Sequence, residues 1–307
     1  MNVLMLSAWE DTGGIQAGLK QALERYTDWS VRAVTRHQNY INYLPDIFWE
    51  PNTPMPDGLQ DLFDAADVIH VQEQWSAVTP FAGWREKPLL MHHHGTIFRQ
   101  DQTAELLRTV REYRAYTICS TPDLQLIDPS IEWLPNPCDI AYLRLLREKS
   151  RDVHVQLRIA HSPTNRYLKA TDGFLAAVQG LPLEVDLIEW VTWQECLARK
   201  ARADLFYDQL HIGYALSGIE AMAMGIPVIG GAYDRRIIDL MSAKFDYLPF
   251  LLATPETLRD RLEHLLDPDV QRLVASVGRE HVERWHDEGR VARQLVEIYA
   301  KTLALRA

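Results

Sequence analysis

Short apolar runs alternate along the chain with stretches whose apolar residues recur every three or four positions. "NVLMLS" (2–7) is continuous and apolar, breaks at "EDTGG" (10–14), and gives way to "IQAGLKQALERY" at helical spacing. A strand, a loop and an amphipathic helix in that order form a β-loop-α unit. Further strands are predicted at "SVRAV" (30–34), "DVIHV" (67–71), "PLLMHH" (88–93) and "AYTIC" (115–119). The stretch 36–58 is rich in Pro, Asn and aromatics and reads as one long loop, a length that tends to carry function.

A second series follows the charged helix "IAYLRLLREKSRD". It places strands at 155–161, 183–190, 203–208 and 226–231, and helices at 168–179, 194–201 and 217–224. Strands alternating with helices predict parallel sheets covered on both faces. Two such series predict an α/β protein of two doubly wound domains with a cleft between them. "EWLPNPCD" (132–139), with prolines on both sides of Asn136, marks the junction. From about 254 onward the pattern is helical, and Val291, Leu295, Ile298, Tyr299 and Thr302 line one face of the last helix.

The length of 307 residues suits two domains, and 47% hydrophobic with 24% charged residues is an ordinary globular composition. The start "MNVLMLSAWED" lacks a basic region, and its apolar run is too short for a signal peptide or a membrane span, so a cytoplasmic protein with no integral membrane contact is expected. Cysteines at 119, 138 and 196 are odd in number and far apart, which suggests buried thiols and neither a disulfide framework nor a zinc site. The net charge is −10; residues 1–150 carry 13 Lys/Arg against 20 Asp/Glu, and residues 151–307 carry 19 against 22. Neither half has the basic balance of a nucleic-acid binder or of a protein lying on an anionic membrane, although a local basic cleft stays open.

Ligands of open parallel sheets bind beyond the carboxyl ends of the strands, near helix N-termini, and four stretches lie there. In "EDTGG", Gly13 and Gly14 let backbone approach a ligand at the start of the first helix, or simply make a tight turn; the dinucleotide glycine pattern is absent. In "HHHGTIFRQ" (92–100), alternation puts His92 and His94 on one side of the strand and His93 on the other. A metal there lacks a third ligand, so His94 is a candidate to hydrogen-bond a substrate hydroxyl or leaving group, or else a structural histidine. In "HSPTNRYLKAT" (161–171), with a helix starting near Tyr167, Arg166 and Lys169 converge on one anion, the arrangement that holds a diphosphate, or they line a solvated face. In "SGIEAMAMGIPVIGG" (217–231), Ser217 caps a short helix, and Gly218, Ile219 and Glu220 present first-turn amides to a phosphate. Glu220 is then either a ligand-binding carboxylate or the capping-box partner of Ser217.

"STPDL" (120–124), "WLPNPCD" (133–139), "IAHSPTNRYLKAT" (159–171), "DLFYDQLHIGYALSGIEAMAMGIPVIGG" (204–231) and the closing "VARQLVEIYAKTLA" occur in the order seen in family-4-like glycosyltransferases of the GT-B fold. The chain resembles them over most of its length, most closely from 120 to 231. The resemblance implies two Rossmann-like domains facing a cleft. Residues 1–140 form the acceptor domain, 141–285 hold a nucleotide-sugar, and 286–307 cross back onto the first domain. It implies that Glu220 binds the donor ribose, that Arg166 and Lys169 hold its diphosphate, and that amides from Leu216 to Ile219 assist. It further implies that His94 faces the transferring sugar, and that Gly13, Gly14 and Val191 also border the donor. The co-substrate implied is a nucleoside-diphosphate sugar, a UDP-sugar first, with no separate cofactor and no metal, because cations and amides stabilise the leaving diphosphate.

Two departures stand out. Many members carry two glutamates eight residues apart, and this chain has Ile212 in the earlier place. The retaining outcome expected of the family therefore lacks its usual first carboxylate. The role does not pass to Asp208, twelve residues before Glu220. The first half is also small and acidic and lacks a basic amphipathic helix, which argues against lipid-linked acceptors. Small molecules, proteins and modified nucleic acid stay open as acceptors, the last with "TRHQNYINY" (35–43) as a base pocket. A GT-B epimerase or phosphorylase, and a nucleotide-sugar-binding protein without turnover, are the competing readings.

Overall fold

The computed structural model describes residues 1–95, 97–99, 103–150 and 156–306. Val155, the expected start of the second series, and Arg151 and Asp152, the expected end of the charged helix, lie outside the described residues.

Met1–Pro137 and Glu288–Ala307 form one compact unit, and Cys138–Asp287 forms a second. The junctions were expected after residues 140 and 285. The first unit contains β1 (Asn2–Ser7), α1 (Ile15–Tyr26), β2 (Ser30–Thr35), β3 (Ile47–Phe48), α2 (Leu59–Ala65), β4 (Val68–Gln72), β5 (Leu89–His93), α3 (Thr103–Glu112), β6 (Tyr116–Cys119) and β7 (Glu132–Trp133). Its strands form a parallel sheet in the order β3-β2-β1-β4-β5-β6-β7. Every residue of β4 and β5 is buried, as apolar strands covered on both faces require.

The second unit contains α4 (Ile140–Ser150), β8 (Leu157–His161), α5 (Thr171–Val178), β9 (Leu183–Leu187), α6 (Trp193–Lys200), β10 (Leu205–Gln209), α7 (Leu216–Ala223), β11 (Val228–Gly230), α8 (Arg235–Phe245), β12 (Leu251–Leu252), α9 (Leu258–His264) and α10 (Pro268–Trp285). Its sheet is parallel in the order β12-β11-β10-β8-β9. The chain leaves β8 toward β9 on one side and returns to β10 on the other. The switch point of this sheet therefore lies between the carboxyl ends of β8 and β10, and that of the first sheet between β1 and β4.

The last helix, α11 (Glu288–Ala304), belongs to the first unit. Val291, Leu295, Ile298 and Tyr299 are buried with Ile15, Leu19 and Leu23 of α1 in one apolar cluster. Each such side chain contributes about 1.5–3 kcal/mol on burial, so the predicted face is what seats the helix. Its start is pinned by polar groups: the buried carboxylate of Glu288 pairs with Arg25.

The long loop at 36–58 is interrupted by β3. The main chain of Val34 and Thr35 pairs with Ile47 and Phe48, and buried Trp49 lies beneath the Arg36 guanidinium, 4.4 Å from its ring centre. Two residues of strand are too few for periodicity to reveal. Cys119 and Cys138 are buried as expected, whereas Cys196 is half-buried. Among the described residues, no helix is long and apolar enough to cross a membrane.

Candidate functional site

The switch point of the second unit gathers side chains from four segments. β8 ends at His161, whose Nδ1 donates to the Tyr207 carbonyl (3.0 Å), so that Nε2 accepts from Thr171 (2.8 Å). Burial first, with the nearby Lys169 and Arg166 charges adding to it, lowers this imidazole to about 3 and keeps it neutral. The Thr171 bond fixes where α5 begins. The helix starts at Thr171, not near Tyr167, because Ala170 takes a left-handed conformation (φ 50°) and the Asn165 side chain accepts from the Leu168 amide. Arg166 and Lys169 consequently lie in the turn before α5 and not in its first helical turn.

Both cations are already paired. Arg166 donates to both oxygens of Glu189 (2.8 and 2.6 Å) on the exposed surface, and Lys169 donates to buried Asp208 (2.6 Å). The other Asp208 oxygen accepts from the Ala215 amide (2.7 Å), and a Cβ on Gly218 would come within 2.7 Å of that same oxygen. The carboxylate at the end of β10 thus fixes the Lys169 turn and the entry to α7 together.

α7 begins one residue earlier than expected, with Ala215 as its N-cap. Ser217 therefore does not cap. Its hydroxyl bonds Ser162 Oγ at the end of β8 (2.5 Å) and accepts from Lys200 (3.0 Å). Glu220 falls beyond the first turn, which rules out the capping-box reading. Its Oε1 accepts from the Trp193 indole (2.8 Å) and its Oε2 from the Lys200 ammonium (2.5 Å). Ile219 spends its amide on the Ala215 carbonyl (3.0 Å), so it is not a ligand donor as expected. Leu216, Ser217 and Gly218 remain as the first-turn donors of the helix. Val191 stands half-buried between exposed Trp190, at φ 57°, and the Thr192 N-cap of α6.

In the first unit, Gly13 and Gly14 both have positive φ (64° and 75°) and make the tight turn into α1. The amides of Gln16 and Ala17 are held by the buried Asp11 carboxylate (2.8 Å each), at the helix start where backbone was expected to approach a ligand or to make a tight turn. Tyr43 covers Gly14 so closely that a Cβ there would meet the ring at 2.4 Å. Burial raises Asp11 to about 6 against the opposing bonds from the Ala17, Gln16 and Ile15 amides. Asp11, Lys20, Glu24, Tyr43 and Asp46 line a cavity of about 270 Å³ beside α1.

His94 follows β5 and is buried, with its main-chain amide donating to Glu73 (3.1 Å). Nε2 lies 2.5 Å from the Gln72 amide oxygen, so it carries the proton, and Nδ1 accepts from Ser120 Oγ (3.0 Å). Its neighbour His92 joins a buried chain through His70 (3.2 Å) to Tyr299 of α11 (2.8 Å). His94 is thus gathered with Gln72 and Ser120 at the ends of β4 and β6.

The sequence reading missed Trp193, Lys200, Gln72 and Ser120. Lys200 had a signal: it sits three residues after Leu197 and one before Ala201, on the buried face of α6. Arg199 and Arg202 flank it, so residue type alone does not single it out.

Solved structures similar to this chain include glycosyltransferases. Sucrose-phosphate synthase from Thermosynechococcus elongatus superposes with a TM-score of 0.68 at 16% identity, over 99% of both chains. HepE from Anabaena, solved with UDP-glucose, gives 0.70 at 15% identity over 98% of this chain and 100% of its own. An alpha-glucosyltransferase solved with UDP and a 13-mer DNA gives 0.69 at 10% identity over 97% and 99%. The chain has the GT-B fold. No family model matches the chain, and no curated protein matches it by sequence. The GT-B fold accounts for two doubly wound sheets in one polypeptide; donor and acceptor must be argued from the residues at the switch points.

Proposed function

We propose that this protein is a glycosyltransferase that moves a sugar from a nucleoside-diphosphate sugar, a UDP-sugar first, to an acceptor hydroxyl without a metal. The observation that carries the reading is that Glu220 stands on α7, which follows β10 at the switch point of the second sheet and whose start is tied to the Lys169 turn through Asp208. UDP-glucose in HepE and UDP in the alpha-glucosyltransferase support the donor class.

In this reading Glu220 accepts the ribose hydroxyls, while the amides of Leu216, Ser217 and Gly218 and the side chains of Arg166 and Lys169 receive the diphosphate. The bond from the sugar's anomeric carbon to the β-phosphate oxygen breaks as the acceptor oxygen attacks that carbon, and the acceptor's hydroxyl proton passes to the departing diphosphate or to solvent. The departing diphosphate then gains charge where these donors are aimed. Arg166 must exchange Glu189 for phosphate, and exposed ion pairs of that kind are weak enough to exchange. Retention is what the resemblance implies; Ile212 supplies no carboxylate for it, so the stereochemical outcome is open to measurement. His94, Gly13, Gly14 and Val191 stay candidates on the resemblance alone, His94 for the sugar and the others for the donor.

A thermal-shift panel of nucleoside diphosphates and their sugars tests the reading. A ligand at 100 times its Kd stabilises by about 2.7 kcal/mol. Glu220→Ala and Arg166→Ala should each weaken diphosphate binding while leaving the unliganded melting point close to wild type for Arg166. Unchanged affinity in both variants would remove the site assignment. Slow hydrolysis of the donor separates an enzyme from a protein that only binds it.

A further inference from the structure

Lys200 is the last residue of α6 and its side chain has no solvent exposure. Its ammonium has three protons and three acceptors: Glu220 Oε2 at 2.5 Å, Ser217 Oγ at 3.0 Å and the Ser217 carbonyl at 3.3 Å. Nothing is left on it for a ligand, so whatever it does for binding it does through its neighbours. It also lies over the Phe206 ring of β10, 5.0 Å from the ring centre, which closes the apolar side.

Glu220 differs in that its side chain retains 9% exposure. A carboxylate has about four lone-pair sites. Lys200 occupies one on Oε2 and the Trp193 indole one on Oε1, which leaves one on each oxygen, the pattern that suits two neighbouring hydroxyls. Burial works to lower the Lys200 ammonium, yet the Glu220 charge, with Cys196 and Asp208 behind it, outweighs burial and holds it above its ordinary range.

We infer that Lys200 and Trp193 are positioning residues that hold the Glu220 carboxylate oriented for the cis-diol of a ribonucleotide, so that the site selects ribose over 2′-deoxyribose. The inference rests on the donor reading above and adds the residues that make it selective. Ser217 shares the network, since its hydroxyl joins Lys200 to Ser162 and locks the end of β8 to α7.

The test measures Kd by calorimetry for UDP, ADP and GDP and for their 2′-deoxy counterparts. Wild type should prefer one ribonucleotide over its deoxy form by about tenfold, the size of one charge-assisted hydrogen bond. Glu220→Gln should abolish the preference. Lys200→Met should abolish it too, because Oε2 then loses the donor that holds it; Lys200→Arg, which restores a cationic donor, should recover part of the preference. Trp193→Phe should reduce the preference. If Lys200→Met folds poorly, the pair Lys200→Met with Glu220→Gln removes both charges at once and should match Glu220→Gln alone. Selectivity lost in Glu220→Gln but wild-type in Lys200→Met would overturn this inference and leave the donor reading standing. Wild-type selectivity in Glu220→Gln, or no binding of any of the nucleotides, would overturn both.

Discussion

The Lys169 ammonium and the Asp208 carboxylate meet at 2.6 Å, with Asp208 wholly buried and Lys169 nearly so. The cation that the sequence assigns to a diphosphate thus also has a partner within the protein, and that partner holds the Ala215 amide as well. Removing Lys169 strands a buried charge with a single backbone donor, a change that costs about 3–5 kcal/mol for buried pairs. Lys169→Met should accordingly lose about 3 kcal/mol of stability. Adding Asp208→Asn should recover part of the loss, with a coupling above about 1 kcal/mol. Urea denaturation of the four proteins measures this cycle; additive losses would show that the pair is incidental.

Gly218 is the second relation fixed by Asp208. Its φ lies outside the left-handed region that favours glycine, so the reason for glycine is space: a Cβ would approach Asp208 Oδ2 at 2.7 Å. That oxygen cannot swing away without releasing Ala215. Gly218→Ala should lower stability by about 1–3 kcal/mol, as overpacking of a fixed site does, although alanine is the better helix former by about 1 kcal/mol. A stabilised variant in thermal melts would show that Asp208 moves freely.

Much of the architecture is written in hydrophobic period. β1 matches its expected span, and β2, β4, β5 and β6 fall within one residue of theirs, because buried parallel strands are continuous apolar runs. α6 and α7 likewise shift by one residue. β3 and β12 were not legible, since two-residue strands carry no period. The site was half legible. Glu220, Arg166 and Lys169 stood out by residue type and by their place after strands. Their partners Trp193, Glu189 and Asp208 come from other segments 20 to 40 residues away, so their pairing exists only in three dimensions. The expected cap at Ser217 failed for the same reason: Ser162 and Lys200 compete for its hydroxyl.

Stability should fall on mild acidification. Burial first of all lowers His70, His93, His94 and His161 to about 3, His281 to about 2, and His92 well below its ordinary range. Their folded values lie under the unfolded value near 6.5, so below pH 6.5 the unfolded chain binds protons that the folded chain refuses. One pH unit below that point, each such histidine costs about 1.4 kcal/mol. Asp11 acts with the opposite sign. Its folded value of about 6 exceeds the unfolded 3.8, so the stability it confers is full below 3.8, fades as pH rises through 6, and returns only about 1 kcal/mol at pH 5.5. The histidines prevail in number. Urea titrations at pH 7.5, 6.5 and 5.5 should show a loss of several kcal/mol; a flat profile would mean that these rings are charged or exposed.

The same neutrality decides what His94 can do. With its folded value at about 3 through burial first and then the neighbouring His70 and His93, it carries no proton to donate as an imidazolium at pH 7. Its Nε2 proton faces Gln72 and its Nδ1 faces Ser120, so in the proposed transfer its part is to position those groups. His94→Ala should therefore lower donor turnover by about tenfold or more while leaving the donor KM within about twofold, the split expected when a group matters in the transition state and not in ground-state binding. The wild-type rate should show no inflection near pH 6.5 that disappears in the variant. His94→Asn, which can bond only one of the two partners, should fall between. Equal turnover in wild type and His94→Ala, scored by donor hydrolysis, would return His94 to a purely structural place among the buried histidines.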